Sequence, residues 1–297
     1  MKILIIGHSV VDKIYADDQK MIKPGGIFYS TLSFLNLINN SDRLFLMTNF
    51  DKLNYNYFSF VYDKINLELS AEVEKVPIVN LKVYNDKERD ESYENFTSKI
   101  NVNLNFNYSQ FNGIFLSLIT GLDISLEDLH GIRKLYDGPI YMDVHSLTRG
   151  IENNKRYFRK IPDSAEWIKN VDILQANENE VKTLCEFEDE IQIAKFVLRN
   201  GPKILLVTKG KVGARLFIMR NNEIKSVFVP AIKMNPVNHV GCGDTFGASF
   251  FYSYIHSNDI YYALKFANIA AGCSTLYYEV KQFNNLKNDI FTKLNKE

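Results

Sequence analysis

The sequence predicts a three-layer, doubly wound α/β domain built on a mostly parallel sheet, with a small β-sheet lid beside it. Three observations predict this. Short continuous apolar runs recur at 3–6, 44–47, 114–118, 140–142, 173–174 and 204–207, the pattern of strands covered on both faces. Helical patterns separate those runs, and strand–helix alternation marks a doubly wound sheet. One stretch, 77–108, breaks the alternation.

Taken in order, the first strand, 3–6, runs on into 12–26, "DKIYADDQKMIKPGG", which supplies companion strands for the lid. "STLSFLNLI" after Gly26 is the first helix. Residues 77–108 alternate polar and apolar around a charged turn, the mark of an antiparallel hairpin with one wet face. "SLEDLHGIRKLY" is a helix with Ser125 as N-cap and Asp128 completing a capping box. "AEWIKN", "ENEVKTLCEF" and "DEIQIAKFVLRN" continue the helical series, and helices at about 244–257 and 260–275 close it. The expected organisation is one domain over 1–297, with a lid from about 12–24 and 77–108. A surface hairpin without function is the alternative reading of that lid.

Composition narrows the function. The 297 residues are 46% hydrophobic, enough for a large core, and Lys+Arg and Asp+Glu balance at 35 each. A nucleic-acid protein usually carries a basic excess or stripe, and a membrane-surface protein a polybasic cluster. Neither partner is expected here. Cys185, Cys242 and Cys273 are scattered without CxxC spacing, which suits free thiols in a reducing compartment. The opening "MKILIIGHSVVDKIY" has too short an apolar run for a signal peptide. No apolar stretch reaches the roughly 18–20 residues of a membrane helix. The expectation is a soluble cytoplasmic protein.

The sharpest motif is "NHVGCGDTFGASFFYSY", residues 238–254. Asp or Gly before an apolar run is ordinary helix capping. Two glycines around one residue do more: they let the backbone turn tightly with several N–H groups aligned. The positive end of the following helix completes an anion site made of backbone. Asp244 puts a carboxylate beside it. That pairing suits a base that takes a proton from a hydroxyl attacking a bound phosphoryl group.

"GCGDTFGASF" resembles the signature of the ribokinase-like (phosphofructokinase B type) carbohydrate kinases, usually G-A-G-D-x-F. The resemblance implies that Gly241, Cys242 and Gly243 form an anion hole and that Asp244 is the catalytic base. "GHSVVD" resembles the family's opening strand, implying acceptor binding by Asp12. "GGIFYS" resembles its di-glycine segment, implying the same for Gly25, Gly26 and Ser30. "ANENE" carries N-x-x-E, implying that Asn177 and Glu180 lie near the phosphates, with Glu180 reaching Mg²⁺ through water. "VTKGKVGA" resembles the nucleotide-lining T-x-G-x-x-G strand and turn, implying Thr208, Gly210 and Gly213. "FANIAAG" resembles the helix beside the adenine, implying Asn268.

The activity implied is Mg²⁺-dependent transfer of the γ-phosphoryl group of ATP to a hydroxyl of a sugar or nucleoside. The resemblance leaves a monovalent cation, and a homodimer through the lid, open. Departures are specific. Asn238 stands where the family usually has Asp, which bears on loop order and monovalent-cation behaviour. His239 and Val240 replace small hydroxyl residues, and Ser30 replaces the Asn common after the di-glycine. These departures keep a rival in view: a ribokinase-like ligand-binding regulator without turnover. Asp143 and His145 sit at a strand end facing the site with no role assigned, and without further ligands no zinc site is expected; His239 reads as a loop residue. "KGKVG" is not a P-loop, because no GxxxxGK[ST] occurs.

Overall fold

The computed structural model describes residues 1–16, 19–83, 90–95, 99–152 and 155–295. Eight strands form the main sheet in the order Glu223–Pro230, Gly213–Arg220, Ile204–Thr208, Ile173–Asn177, Ile140–Asp143, Gly113–Ser117, Lys2–Ile6 and Arg43–Met47. The last six of these pair parallel, and the two nearest the C-terminus add an antiparallel edge. The first strand shows why the sheet is parallel and covered. Ile3 and Ile5 pack into one core cluster, Leu4 and Ile6 into the other. Apolar side chains on both faces leave no wet side, so each face must carry helices.

Helices Phe28–Leu37, Tyr55–Tyr62, Cys242–Ser257, Ile260–Ser274 and Leu286–Leu294 contribute to the first cluster. Leu126–Leu135, Ser164–Lys169 and Glu190–Arg199 contribute to the second. The three-layer α/β fold therefore stands. The capping box at Ser125 and Asp128 forms as expected, with both of its hydrogen bonds present. No helix among the described residues is long and apolar enough to cross a membrane.

A second sheet of six strands runs in the order Arg149–Glu152, Lys155–Phe158, Asp90–Glu94, Ile78–Val83, Ser9–Ala16 and Gln19–Gly26. Only Gly7 and His8 separate the first main strand from it, so one continuous run of chain feeds both sheets. The expected lid, 12–24 and 77–108, differs from this in two ways. Residues 99–108 are not part of it: Ile100 and Tyr108 are buried in the core of the main domain. The strands Arg149–Glu152 and Lys155–Phe158 join it instead, paired antiparallel with Gly150 opposite Tyr157. Of the expected lid, 17–18, 84–89 and 96–98 lie outside the described residues.

The helix expected over "ENEVKTLCEF" is only a turn, Val181–Thr183. Its carbonyls are taken from outside. Ile161 N donates to Thr183 O at 2.9 Å, the Ser164 hydroxyl to Leu184 O at 2.6 Å, and Lys160 Nζ to Lys182 O at 3.1 Å. Carbonyls bonded to other segments do not propagate an α-helix.

Candidate active site

The strand order reverses beside Lys2–Ile6, where open α/β sheets bind ligands at the carboxyl ends of their strands. A cavity of ≈ 340 Å³ opens there between the two sheets. Asp143, Asn177 and Thr208 reach it from main-strand ends, and Asp12, Glu91 and Tyr93 from the second sheet. The turn from His239 to Asp244 closes one end.

That turn is shaped by one backbone angle. Gly241, the N-cap of the Cys242–Ser257 helix, has φ +76°, in the left-handed region. A Cβ there would stand 2.4 Å from the Tyr29 ring, so only glycine lets the turn pack on Tyr29. Gly243 and Asp244 then fall in the first helical turn, whose N–H groups have no intrahelical acceptor. Gly243 needs no special backbone angle, and a Cβ on it would meet nothing within 4 Å. Cys242 stays a thiol: burial, then the Asp244 charge, pushes it up.

Asp244 is half-buried on the cavity wall and accepts a hydrogen bond from Ser30 Oγ at 3.0 Å. Ser30 was expected to bind the acceptor directly. It is fully buried and reaches the site through Asp244 instead. Its side chain sits on the first helix, one residue past Tyr29. Burial, then the charges of Asp12 and Asp244, pushes the Tyr29 phenol up. The phenol therefore lies near both carboxylates. Gly25 shows why Asp12 follows a di-glycine across the strand pair: a Cβ there would meet the Asp12 carboxylate at 2.3 Å. Gly25 and Gly26 both line the cavity beside it.

Beside the helix start lies a set of acids. Asn177 Oδ1 accepts from Asn179 N and Glu180 N at 2.9 Å each, and Glu180 Oε2 accepts from Asn177 N at 2.8 Å. The N-x-x-E pattern is thus a reciprocal cap that holds Glu180 in place. Burial raises the Glu180 carboxyl to about 7, against the Asn177 N–H and the Arg149 charge, which favour ionisation. Burial, then the charges of Glu180 and Asp244, holds Asp143 well above the usual carboxylate range. Burial and neighbouring like charge both favour the protonated form of such carboxyls. Among the described residues no cluster of three or more His, Cys, Asp or Glu is arranged to hold a metal. The pair still fits Mg²⁺, which commonly takes one or two carboxylates and fills its shell with water and substrate phosphate.

Of the expected nucleotide residues, Asn177, Glu180 and Thr208 line the cavity. Gly210, Gly213 and Asn268 are not on its wall. Asn268 Nδ2 donates to Pro230 O at 2.8 Å. A Cβ on Gly213 would stand 2.1 Å from Val229 O, a demand of the edge strand pair. Gly210, at φ +52°, has open space around it.

Sequence reasoning missed Gln175, Glu91, Tyr93 and Arg149, and left Asp143 and His145 without a role. Gln175 Nε2 donates to Asp143 Oδ2 at 3.0 Å and to Gly243 O at 3.3 Å, and its Oε1 accepts from Tyr141 OH. It ties the acid wall to the helix start. A polar residue ending the apolar run "ILQAN" was its available signal. Arg149 Nη1 lies 3.3 Å from Glu91 Oε2, a pair joining strands far apart in sequence. His145 N donates to Asp143 Oδ1 at 3.2 Å.

The fold and the site define a doubly wound α/β protein with a helix start and a set of carboxylates on one cavity at the strand ends. The pfkB family carbohydrate kinase model matches residues 152–285. A ribokinase of Bacillus subtilis (strain 168) is 32% identical over 129 residues, 43% of this chain and 41% of that protein. The chain thus spans less than half the length of the curated relative it matches. Among solved structures, a pyrophosphate-dependent kinase in the ribokinase family, in complex with sulfate, superposes with a TM-score of 0.78 at 17% identity, covering 93% of this chain and 95% of that one. Arabidopsis thaliana ribokinase complexed with ribose and ATP superposes at 0.76 and 16% identity, covering 99% and 98%. The likeness to the pfkB carbohydrate kinases thus covers residues 152–285, and the fold as a whole is that of the ribokinase-family structures.

Proposed function

We propose that this protein transfers the γ-phosphoryl group of ATP to a hydroxyl of a sugar or nucleoside. One observation carries the reading: Asp244 faces the cavity from the first turn of the helix that Gly241 starts. Asp244 accepts the proton of the acceptor hydroxyl. The acceptor oxygen bonds the γ-phosphorus as the bond from phosphorus to the bridging oxygen breaks, and ADP leaves. The helix-start N–H groups meet the charge that develops on the transferring group. Ser30, donating to Asp244, keeps the carboxylate turned toward the acceptor. Asp12 accepts from acceptor hydroxyls; a carboxylate takes two at once. Glu180 and Asp143 would hold Mg²⁺, which would supply neutralisation of the donor phosphate charge. The second sheet covers the acceptor and limits transfer to water.

The test is phosphoryl-donor consumption across a panel of sugars and nucleosides, run with ATP and with pyrophosphate. Turnover with ATP and a sugar or nucleoside is expected. Turnover with pyrophosphate alone would overturn the donor and leave the phosphoryl transfer standing. Tight sugar binding without turnover on either donor would overturn the kinase reading in favour of a ligand-binding regulator.

A further inference from the structure

The family resemblance leaves room for a monovalent cation beside the anion turn, and Asn238 departs from the family there. The residues present do not fit such an ion. Val237 N and Asn238 N donate to Thr275 O at 2.9 and 3.1 Å. The Asn238 side chain accepts from Val240 N at 3.0 Å through Oδ1 and donates from Nδ2 to Tyr277 O at 3.4 Å. The Val240 N–H settles which end of the carboxamide is oxygen, because an N–H needs an acceptor. The NH₂ end therefore faces the Tyr277 carbonyl.

This amide links two segments: the one feeding Gly241, and the one leaving the Ile260–Ser274 helix. Beside it lies a second cavity of ≈ 300 Å³, with Tyr29 as the wall it shares with the first. Na⁺ or K⁺ needs a shell of oxygens. Here the side chain turns its NH₂ protons, not an oxygen, toward the Tyr277 carbonyl. Glu279, on the cavity wall, is bonded to Lys281 Nζ at 2.7 Å. Lys23, on the same wall, sets its ammonium 5.7 Å from the centre of the Tyr278 ring. Lys23 thus brings a positive charge to the wall of this space.

We infer that the Asn238 carboxamide does by hydrogen bonding what a monovalent cation would do by coordination. It holds the turn before Gly241 against the Tyr277 segment, and the protein works without K⁺ or Na⁺. The activity arm of the test rests on the proposed kinase reading; the stability arm does not.

Asn238→Asp keeps the shape and the Val240 bond but loses the donor, so a carboxylate oxygen faces the Tyr277 oxygen with no proton between them. A cation is what that pair then needs. In potassium and tetramethylammonium chloride at equal ionic strength, wild-type kcat/KM should agree within about twofold, less than one hydrogen bond is worth. Asn238→Asp should be about three- to tenfold slower in tetramethylammonium, the effect of one lost hydrogen bond, and recover in potassium. Asn238→Ala should be slow in both salts. The ligand-free wild type should melt at the same temperature in either salt, while Asn238→Asp melts higher in potassium, since an ion bound only by the folded state raises the midpoint. A wild type activated more than about tenfold by K⁺, far beyond one hydrogen bond, would overturn the inference. So would a wild-type midpoint raised by K⁺, or an Asn238→Asp protein that behaves like wild type in tetramethylammonium.

Discussion

The wall at the ends of the parallel strands and the wall made by the second sheet both carry charged groups, but they hold them differently. On the first, Glu180 is fixed by Asn177, three residues away, and Asp244 by the helix that begins at Gly241. On the second, Asp12 lies over Gly25 across a strand pair, and Arg149 meets Glu91 from a distant hairpin. Bonds within a few residues place Glu180 and the Asp244 turn, and pairing between distant segments places the second wall. A change on the first wall should act on the chemical step. The second depends on strands staying in register, and a change there should act on acceptor binding.

The largest expected effect lies on the first wall. Asp244→Asn should lower kcat on the best acceptor by about 10²–10⁴-fold, the usual contribution of a positioned proton acceptor. Donor affinity, read by calorimetry, should hold or rise, because a negative charge beside the phosphates is gone. Asn can still accept from Ser30, so the melting temperature should scarcely move. A variant keeping more than about a tenth of the wild-type rate would make Asp244 a helix cap and little else.

The second wall should answer with KM. Asp12→Asn removes the charge from the hydrogen bonds to acceptor hydroxyls, each worth about 1.5–3 kcal/mol with a charged partner. Acceptor KM should rise by about ten- to a hundredfold, with a smaller fall in kcat and no change in donor KM. If donor KM rose as much as acceptor KM, the division between the walls would collapse.

The same division explains what the sequence revealed. Six parallel strands announced themselves as apolar runs, because strands buried on both faces need apolar residues at every position. The glycine–cysteine–glycine–aspartate turn and N-x-x-E were legible because their bonds close within a few residues. The antiparallel strands Gly213–Arg220 and Glu223–Pro230 were not. Burial along the second reads as mostly exposed with half-buried positions, too little contrast to stand out. The Arg149–Glu152 and Lys155–Phe158 strands were missed for the same reason: four residues each give no periodicity to count. Ser30 was placed on the wrong side of Asp244, because spacing along a helix says which face a residue is on and not which neighbour it meets. Gln175 belongs to a network among Tyr141, Asp143 and Gly243, and such networks exist only once the sheet is assembled.

The smallest expected effect tests whether the first wall stores cost that a ligand relieves. Asp143 and Glu180 are both buried, with carboxyls raised, Glu180 to about 7. In the unfolded chain a glutamate titrates near its ordinary value of about 4.3. Between those values the folded state holds a proton that the unfolded state has lost, so stability falls as pH rises. Asp42 and Asp128 have lowered carboxyls, which act in the opposite sense. Their contribution is lost only as pH falls below the ordinary carboxylate range, outside this window. The ligand-free protein should therefore melt a few degrees higher at about pH 5 than at about pH 8, with each kcal/mol shifting the midpoint by about 2–4 °C in a chain of this size class. Glu180→Gln, which cannot ionise, should flatten the slope. Mg²⁺ with a phosphoryl donor should flatten it too, by favouring the ionised pair. A midpoint that rises from pH 5 to pH 8, or a Glu180→Gln slope equal to wild type, would mean that these acids carry no such cost.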